Sequence, residues 1–386
     1  MQARDYFEML FERDIPELGT TARFYRHVET GAEVLSLIND EENKVFGITF
    51  RTPPKDSTGV PHILEHAVLC GSRKYPVKEP FVELLKGSLK TFLNAFTYPD
   101  RTCYPVASQN LADFYNLVDV YLDAVFYPLI PPHVFQQEGW HYELDGLDGP
   151  LRRSGVVYNE MKGAYSSPDS LLVEASQQSL FPDITYGLDS GGDPKVIPRL
   201  TFDQFRDFHA AFYHPSNSRT FFYGNDDPER RLEIVHEYFK DFKKIRPESE
   251  VPLQPRRNAP VRITREFASG SADPDSPKPL GMVTANWLLT ESADVETNLA
   301  LQVLEYILLG MPGSPLRKGL IDSGLGEDVA GTGLENELRQ TFFSTGLKGV
   351  DPADADRVDA VVTDTLSALA RDGIDPDTVG AAMNTV

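Results

Sequence analysis

The sequence predicts an α+β protein made of two related α/β domains. Two observations carry this. Short alternating apolar and polar runs, which suit half-buried strands, open the chain and are joined by runs with apolar residues at helical spacing. Pro247, Pro252, Pro255 and Pro260 then fall within fourteen residues, and the strand, helix, strand order begins again after them. The expected domains are 1–246 and 263–386, joined by a Pro-rich linker at 247–262. The last domain is expected to stop short. Asp375-Pro376-Asp377 opens a helix, and the sequence ends at Val386 barely two turns later.

The elements follow in order. A short helix-like start precedes the apolar–polar run Ala22–Val28. Glu33–Ile38 and Lys44–Phe50 alternate as strands around a turn at Asn39-Asp40. A Pro/Asp/Ser/Gly loop from Pro53 to Gly59 leads into a helix. Phe81–Leu89 predicts a second helix. Phe92–Thr97 and Thr102–Val106 predict strands around Pro99-Asp100, and Pro105 marks the latter as an edge strand or a strand end. Phe114, Leu117, Val118, Tyr121, Leu122 and Val125 place one packed helix over Leu111–Phe126. Tyr158–Ser179 is helical with a break near Ser167-Pro168. Gly187–Pro198 is a loop, Phe202–Phe212 a helix, Thr220–Gly224 a buried strand and Glu229–Phe242 a helix. Beyond the prolines come a strand at Met282–Leu289, a helix at Val295–Leu309, a strand at Thr341–Lys348 and a helix at Ala353–Arg371.

Composition narrows the function classes. A chain of 386 residues with 41% hydrophobic and 25% charged residues can bury a large core. The net charge of −21 argues against a nucleic-acid partner, which requires a basic face, and suits a cationic ligand. Acidity that only keeps the protein in solution is the plainer alternative. No uninterrupted apolar run of about 18 residues occurs, so no membrane insertion is expected. No signal-peptide core follows Met1–Asp5, and any targeting peptide is expected to be absent from this chain. Two cysteines, Cys70 and Cys103, cannot build a disulfide framework. They are expected to be small buried hydrophobes.

The helix after Gly59 contains His62-x-x-Glu65-His66. Four residues apart on a helix, the imidazoles lie on one face a turn from each other. So placed, they can share one Zn²⁺, with Glu65 within reach of a metal-bound water. Pro61 suits the first turn, and Ile63, Leu64, Ala67 and Val68 form the face to bury. A purely structural histidine pair is the alternative, but it leaves Glu65 costly to bury in an apolar stripe. A catalytic zinc needs a third protein ligand from another element. Glu138, Glu143, Glu160, Glu174 and His141 are all candidates by residue type, and spacing does not choose among them. Glu160 stands out as an acidic residue within Gly155-Val156-Val157-Tyr158-Asn159-Glu160-Met161.

The run Phe50–His66, the run Cys70–Phe81, Asn94–Thr102, Glu138–Leu144 and the Glu160 stretch together resemble the presequence-protease branch of the pitrilysin-type zinc metalloproteases. Ser190–Pro194, Tyr213–Asn217 and Ser314–Lys318 extend the match along essentially the whole chain. The resemblance implies pitrilysin-type (LuxS/metalloprotease-like) α/β domains, each a mixed sheet with helices packed on one face. It implies Zn²⁺ held by His62, His66 and Glu160, with Glu65 as catalytic base. It implies that Asn94 and Ala95 lie on an edge strand that holds substrate backbone by β-augmentation. Family members repeat this plan in two halves that enclose a chamber, and Arg and Tyr from the second half complete the site. This chain resembles the first half, so the C-terminal half is an expected partner. The expected substrates are unfolded, often basic peptides such as cleaved targeting presequences, in the mitochondrial matrix or chloroplast stroma, with a bacterial homologue as the other setting. A non-catalytic scaffold and a peptide-binding module without turnover are the alternatives.

Overall fold

The computed structural model describes residues 3–144, 146, 149–268 and 280–386. They fall into two compact units. One comprises 1–162 and 188–250, the other 163–187 and 251–386.

The first unit is built on strands β1 (Phe7–Ile15), β2 (Thr20–His27), β3 (Glu33–Ile38), β4 (Lys44–Arg51), β5 (Lys90–Leu93), β6 (Phe96–Thr97) and β7 (Arg101–Ser108). A separate hairpin, β8 (His141–Leu144) with β9 (Leu151–Ser154), and a last strand β10 (Ser218–Gly224) complete the set. The main sheet runs β1-β2-β3-β10-β4-β7-β5, with β6 also on β7. It is mixed, because β10 lies parallel to β3 and antiparallel to β4. Strand alternation explains the single core. Phe46, Ile48 and Phe50 of β4 point to one face, where they meet Tyr104 and Val106 of β7 and Phe222 of β10. Helices cover that face: α1 (Val60–Val68), α3 (Leu111–Phe126), α4 (Pro132–Glu138) and α5 (Val156–Ala164), together with Phe202–Phe212 and Pro228–Phe239. The short α2 (Pro80–Gly87) lies between α1 and β5.

Several expectations are corrected here. Pro105 is neither at an edge nor at a strand end, since β7 pairs with β4 on one side and with β5 and β6 on the other. The reason is local. The Pro105 carbonyl accepts from Asn94 N at 3.4 Å, so its missing donor faces the gap between β5 and β6. The same gap divides the single strand expected over Phe92–Thr97. β1 was not foreseen, because most of its side chains are exposed and show no alternation. Cys70 and Cys103 are half-buried with polar partners rather than buried fillers.

The second unit carries an antiparallel three-stranded sheet in the order β11-β13-β12, from β11 (Gly281–Glu291), β12 (Asp328–Glu335) and β13 (Gln340–Val350). Neither β12 nor the Pro315–Asp322 helix was foreseen. Segment 163–187, placed by sequence in the first domain, packs here instead. Phe181 and Tyr186 share a small core with Val251, Leu338 and Phe342. The proline stretch is consequently more than a tether. Val251 and Gln254 are buried, and Gln254 N donates to Gln340 Oε1 at 2.9 Å.

By length and composition, Val295–Asp322 could cross a membrane, with a mean hydropathy of 1.2. Counting uninterrupted apolar runs overlooks it. In the fold it consists of Val295–Glu305, a π-helical turn Tyr306–Gly310 and the separate helix Pro315–Asp322. Leu308, Leu316 and Leu320 of this stretch are buried in the second unit's own core.

Candidate metal centre

Gly59 precedes α1 with a left-handed φ of 69°, and Pro61 lies in the first turn. Glycine is required there for space as well. A Cβ on Gly59 would lie 2.6 Å from Gly191 O and 2.9 Å from Gly192 Cα. The helix buries Val60, Ile63, Leu64, Ala67 and Val68 and turns His62, Glu65 and His66 the other way. The two imidazole centroids stand 5.0 Å apart, as i,i+4 geometry dictates.

α5 supplies Glu160. Gly155, immediately before α5, has φ 149° and abuts Gly139, immediately after α4; a Cβ on Gly155 would lie 2.2 Å from Gly139 O. This contact sets the start of α5. Glu160 Oε2 then stands 3.7 Å from His62 Nε2 and 3.9 Å from His66 Nε2. Among the described residues, these three form the one group of side chains spaced to hold a metal ion.

The other nitrogens are engaged elsewhere. His62 Nδ1 lies 3.1 Å from the Gly191 carbonyl, and His66 Nδ1 lies 3.3 Å from Glu138 Oε2. The donor set fits zinc in type, with two imidazole Nε2 atoms and one carboxylate oxygen facing one point. Zn–N and Zn–O bonds of about 2.0–2.2 Å put tetrahedral ligand atoms about 3.3–3.6 Å apart, slightly closer than they stand here.

Electrostatics tie the cluster together. Burial lowers the pKa of His66, but the hydrogen bond to Glu138 and the charges of Glu65, Glu138 and Glu160 outweigh it and raise the net value. Burial raises that of Glu138, but hydrogen bonds from His66 and Gln137 hold it below the usual range. The Cys70 thiol is pushed up to about 12 by burial and by Glu138, so it stays protonated.

The other ligand candidates take different positions. Glu138 contacts the far side of His66. His141 Nδ1 lies 2.8 Å from Gln136 O, and Glu143 sits exposed opposite Arg152 in the hairpin. Glu174, on Pro168–Leu180, accepts from Gln178 within the second unit.

Glu65 accepts a 2.5 Å hydrogen bond from the Thr97 hydroxyl of β6. Asn94 and Ala95 occupy the gap between β5 and β6, at the end of the sheet. Asn94 is exposed, but Ala95 is buried and its N–H is already capped by Asn94 Oδ1 at 3.0 Å. Sequence reasoning missed Thr97 and Gly191. Thr97 stands in the quoted run Asn94–Thr102, whereas a carbonyl such as Gly191 O has no sequence signature.

Comparison with known proteins follows the same lines. Residues 51–148 match the family described as insulinase (peptidase family M16), and residues 199–386 match the one described as peptidase M16 inactive domain. The chain is 56% identical over 98% of its length to presequence protease 1, chloroplastic/mitochondrial, of Arabidopsis thaliana. Over 98% of its length it is 46% identical to protein HypA of Clostridium perfringens. It is also 42% identical over 96% to the mitochondrial presequence protease of Xenopus laevis. It spans 36–39% of the length of these relatives. Among solved structures, a Helicobacter pylori protease has a TM-score of 0.72 at 16% identity, covering 92% of this chain and 81% of that one. Pitrilysin has a TM-score of 0.66 at 18% identity, covering 96% and 39%. At such identities these structures speak to the fold alone.

Proposed function

Since the chain belongs to the M16 peptidase family, we propose that it is the metal-binding half of a zinc-dependent endopeptidase acting on unfolded peptides. The observation that carries this is the convergence of His62 Nε2 and His66 Nε2 on one oxygen of Glu160, with both Nδ1 atoms engaged elsewhere. His62, His66 and Glu160 hold the metal. When bound, zinc supplies an acidified water and a Lewis acid for the scissile carbonyl. Glu65, on the same helix face, takes the water's proton and delivers it to the leaving amine. The Thr97 hydroxyl holds the Glu65 carboxylate meanwhile.

The outer side of β5 and β6 pairs with no other strand among the described residues. An extended peptide adding there meets Asn94 and Ala95, on the strand layer that also carries Thr97. To donate to it, Ala95 N–H exchanges its bond with Asn94 Oδ1 for one with substrate. A net charge of −21 favours basic peptides, including the presequences for which several relatives are named. The setting is a mitochondrion or plastid, as those relatives' names state, or a bacterium, as for HypA.

The relatives are more than twice as long, and we assign the rest of the oxyanion stabilisation to the part of them that this chain does not span. Losing one such donor costs about 10²–10³ in rate. The test is cleavage of a short Arg-rich peptide by this chain alone and by the chain mixed with a second-half fragment. Chelator-sensitive turnover is expected only in the mixture, and Glu65→Gln should abolish it while keeping zinc. Wild-type turnover by Glu65→Gln would remove Glu65 as the base. Turnover by the lone chain at the mixture's rate would make this half a complete enzyme.

A further inference from the structure

Glu138 is a buried carboxylate that the proposed reaction does not use. It is 6% exposed, and its ion-pair partner among the described residues is His66 rather than a lysine or arginine. A carboxylate buried without a cation is costly. It is also held firmly. Oε1 accepts from Gln137 Nε2 at 2.8 Å and from the Cys70 thiol at 3.6 Å, which leaves Oε2 to His66. The end of α4 is pressed onto α1, since a Cβ on the following Gly139 would lie 3.2 Å from Ile63 Cγ2.

We infer that Glu138 is the positioning residue of the metal centre, fixing His66 as the Nδ1–H tautomer so that the Nε2 lone pair faces Glu160. The inference rests on the zinc reading above. An ionised carboxylate only accepts, so the proton between it and His66 lies on Nδ1. Neutral imidazole then has its lone pair on Nε2, the atom 3.9 Å from Glu160 Oε2. The two histidines differ in this respect. His62 leans on a neutral backbone carbonyl, Gly191 O, whereas His66 leans on a charged group. A divalent cation across the ring would offset the buried negative charge of Glu138.

The experiment is a zinc competition titration on the full chain, comparing wild type, Glu138→Gln, His66→Ala and Cys70→Ala, with thermal unfolding of each metal-free protein. Loss of an outer partner of this kind typically lowers metal affinity about 10–100-fold. Glu138→Gln should show that loss while its metal-free form still unfolds cooperatively, and Cys70→Ala should stay within about threefold of wild type. A readout independent of the metal is long-range ¹H–¹⁵N correlation of metal-free wild type at a pH where His66 is neutral, which should show His66 protonated at Nδ1. Wild-type affinity in Glu138→Gln, or a His66 protonated at Nε2 in the metal-free protein, would overturn the inference while leaving the zinc reading intact. A loss as complete as that of His66→Ala would make Glu138 a ligand instead. Absence of zinc binding by wild type would defeat the zinc reading itself, and this inference with it.

Discussion

Replacing Gly155 with alanine puts a methyl group 2.2 Å from the carbonyl oxygen of Gly139, well inside the 3.4 Å at which ordinary contact begins. Relief requires a movement of about 1 Å or more, and both sides of the contact are backbone, so no flexible side chain can absorb it. The residue must also keep φ 149°, a conformation an L side chain rarely adopts, at a cost of about 1–3 kcal/mol. The displacement passes directly into α5, because Val156 is its first residue and Glu160 lies one turn further on. Glu160 Oε2 stands 3.7 and 3.9 Å from the two Nε2 atoms, so on the proposed zinc reading a shift of this size would take one ligand out of a shared coordination sphere. Gly163 is the internal control. It lies on the same helix, and a Cβ there meets nothing within 4 Å. Gly163→Ala should be neutral or stabilising by up to about 1 kcal/mol. The assay is zinc competition titration and thermal unfolding of both variants. Gly155→Ala should lose at least about tenfold in zinc affinity and unfold earlier, whereas Gly163→Ala should do neither. Wild-type affinity and midpoint in Gly155→Ala would refute the claim that the Gly139–Gly155 contact places Glu160.

Other outcomes follow from the same geometry. Burial, with His236 beside it, lowers His27 to about 4, and burial lowers His209 to about 4 despite its bond to the Val125 carbonyl. Their folded values lie below the unfolded 6.5, so the stability they contribute is present above pH 6.5 and lost as pH falls towards 4. Urea unfolding at steps between pH 7 and 4 should show that decline, and a flat profile would contradict it. Arg231 and Asp226 form a fully buried ion pair at 2.6 Å that also holds Ser36 and Gly224 O. Arg231→Met should destabilise by about 3–5 kcal/mol in denaturant unfolding, because it leaves Asp226 buried and unpaired. A cost below about 1 kcal/mol would show that water reaches the site.

What the sequence made legible was whatever repeats at a fixed period. The Leu111–Phe126 helix was readable to the residue because its apolar stripe is uninterrupted and Asn110 caps it. β4 was readable because Phe46, Ile48 and Phe50 alternate with less buried positions. β12 was not, since Gly331, Gly333 and its charged ends erase the alternation. At the site, His62, Glu65 and His66 declare themselves by one turn of spacing. Glu160 stood out by its apolar surroundings but only the resemblance chose it over the other candidates, because 94 positions of chain separate it from His66 and the folded contact of Gly155 with Gly139 brings it near. The bond of His62 to Gly191 O joins backbone and side chain 129 residues apart and leaves no trace in residue type.

The central claim is that His62, His66 and Glu160 hold one zinc ion and that Glu65, between the histidines, does not. Metal content after purification and dialysis, measured on wild type, His62→Ala, His66→Ala, Glu160→Gln and Glu65→Gln, tests it directly. The account predicts about one zinc per chain in wild type and Glu65→Gln, and strong loss in the other three. Near-full occupancy in Glu160→Gln would contradict it and place the third ligand elsewhere.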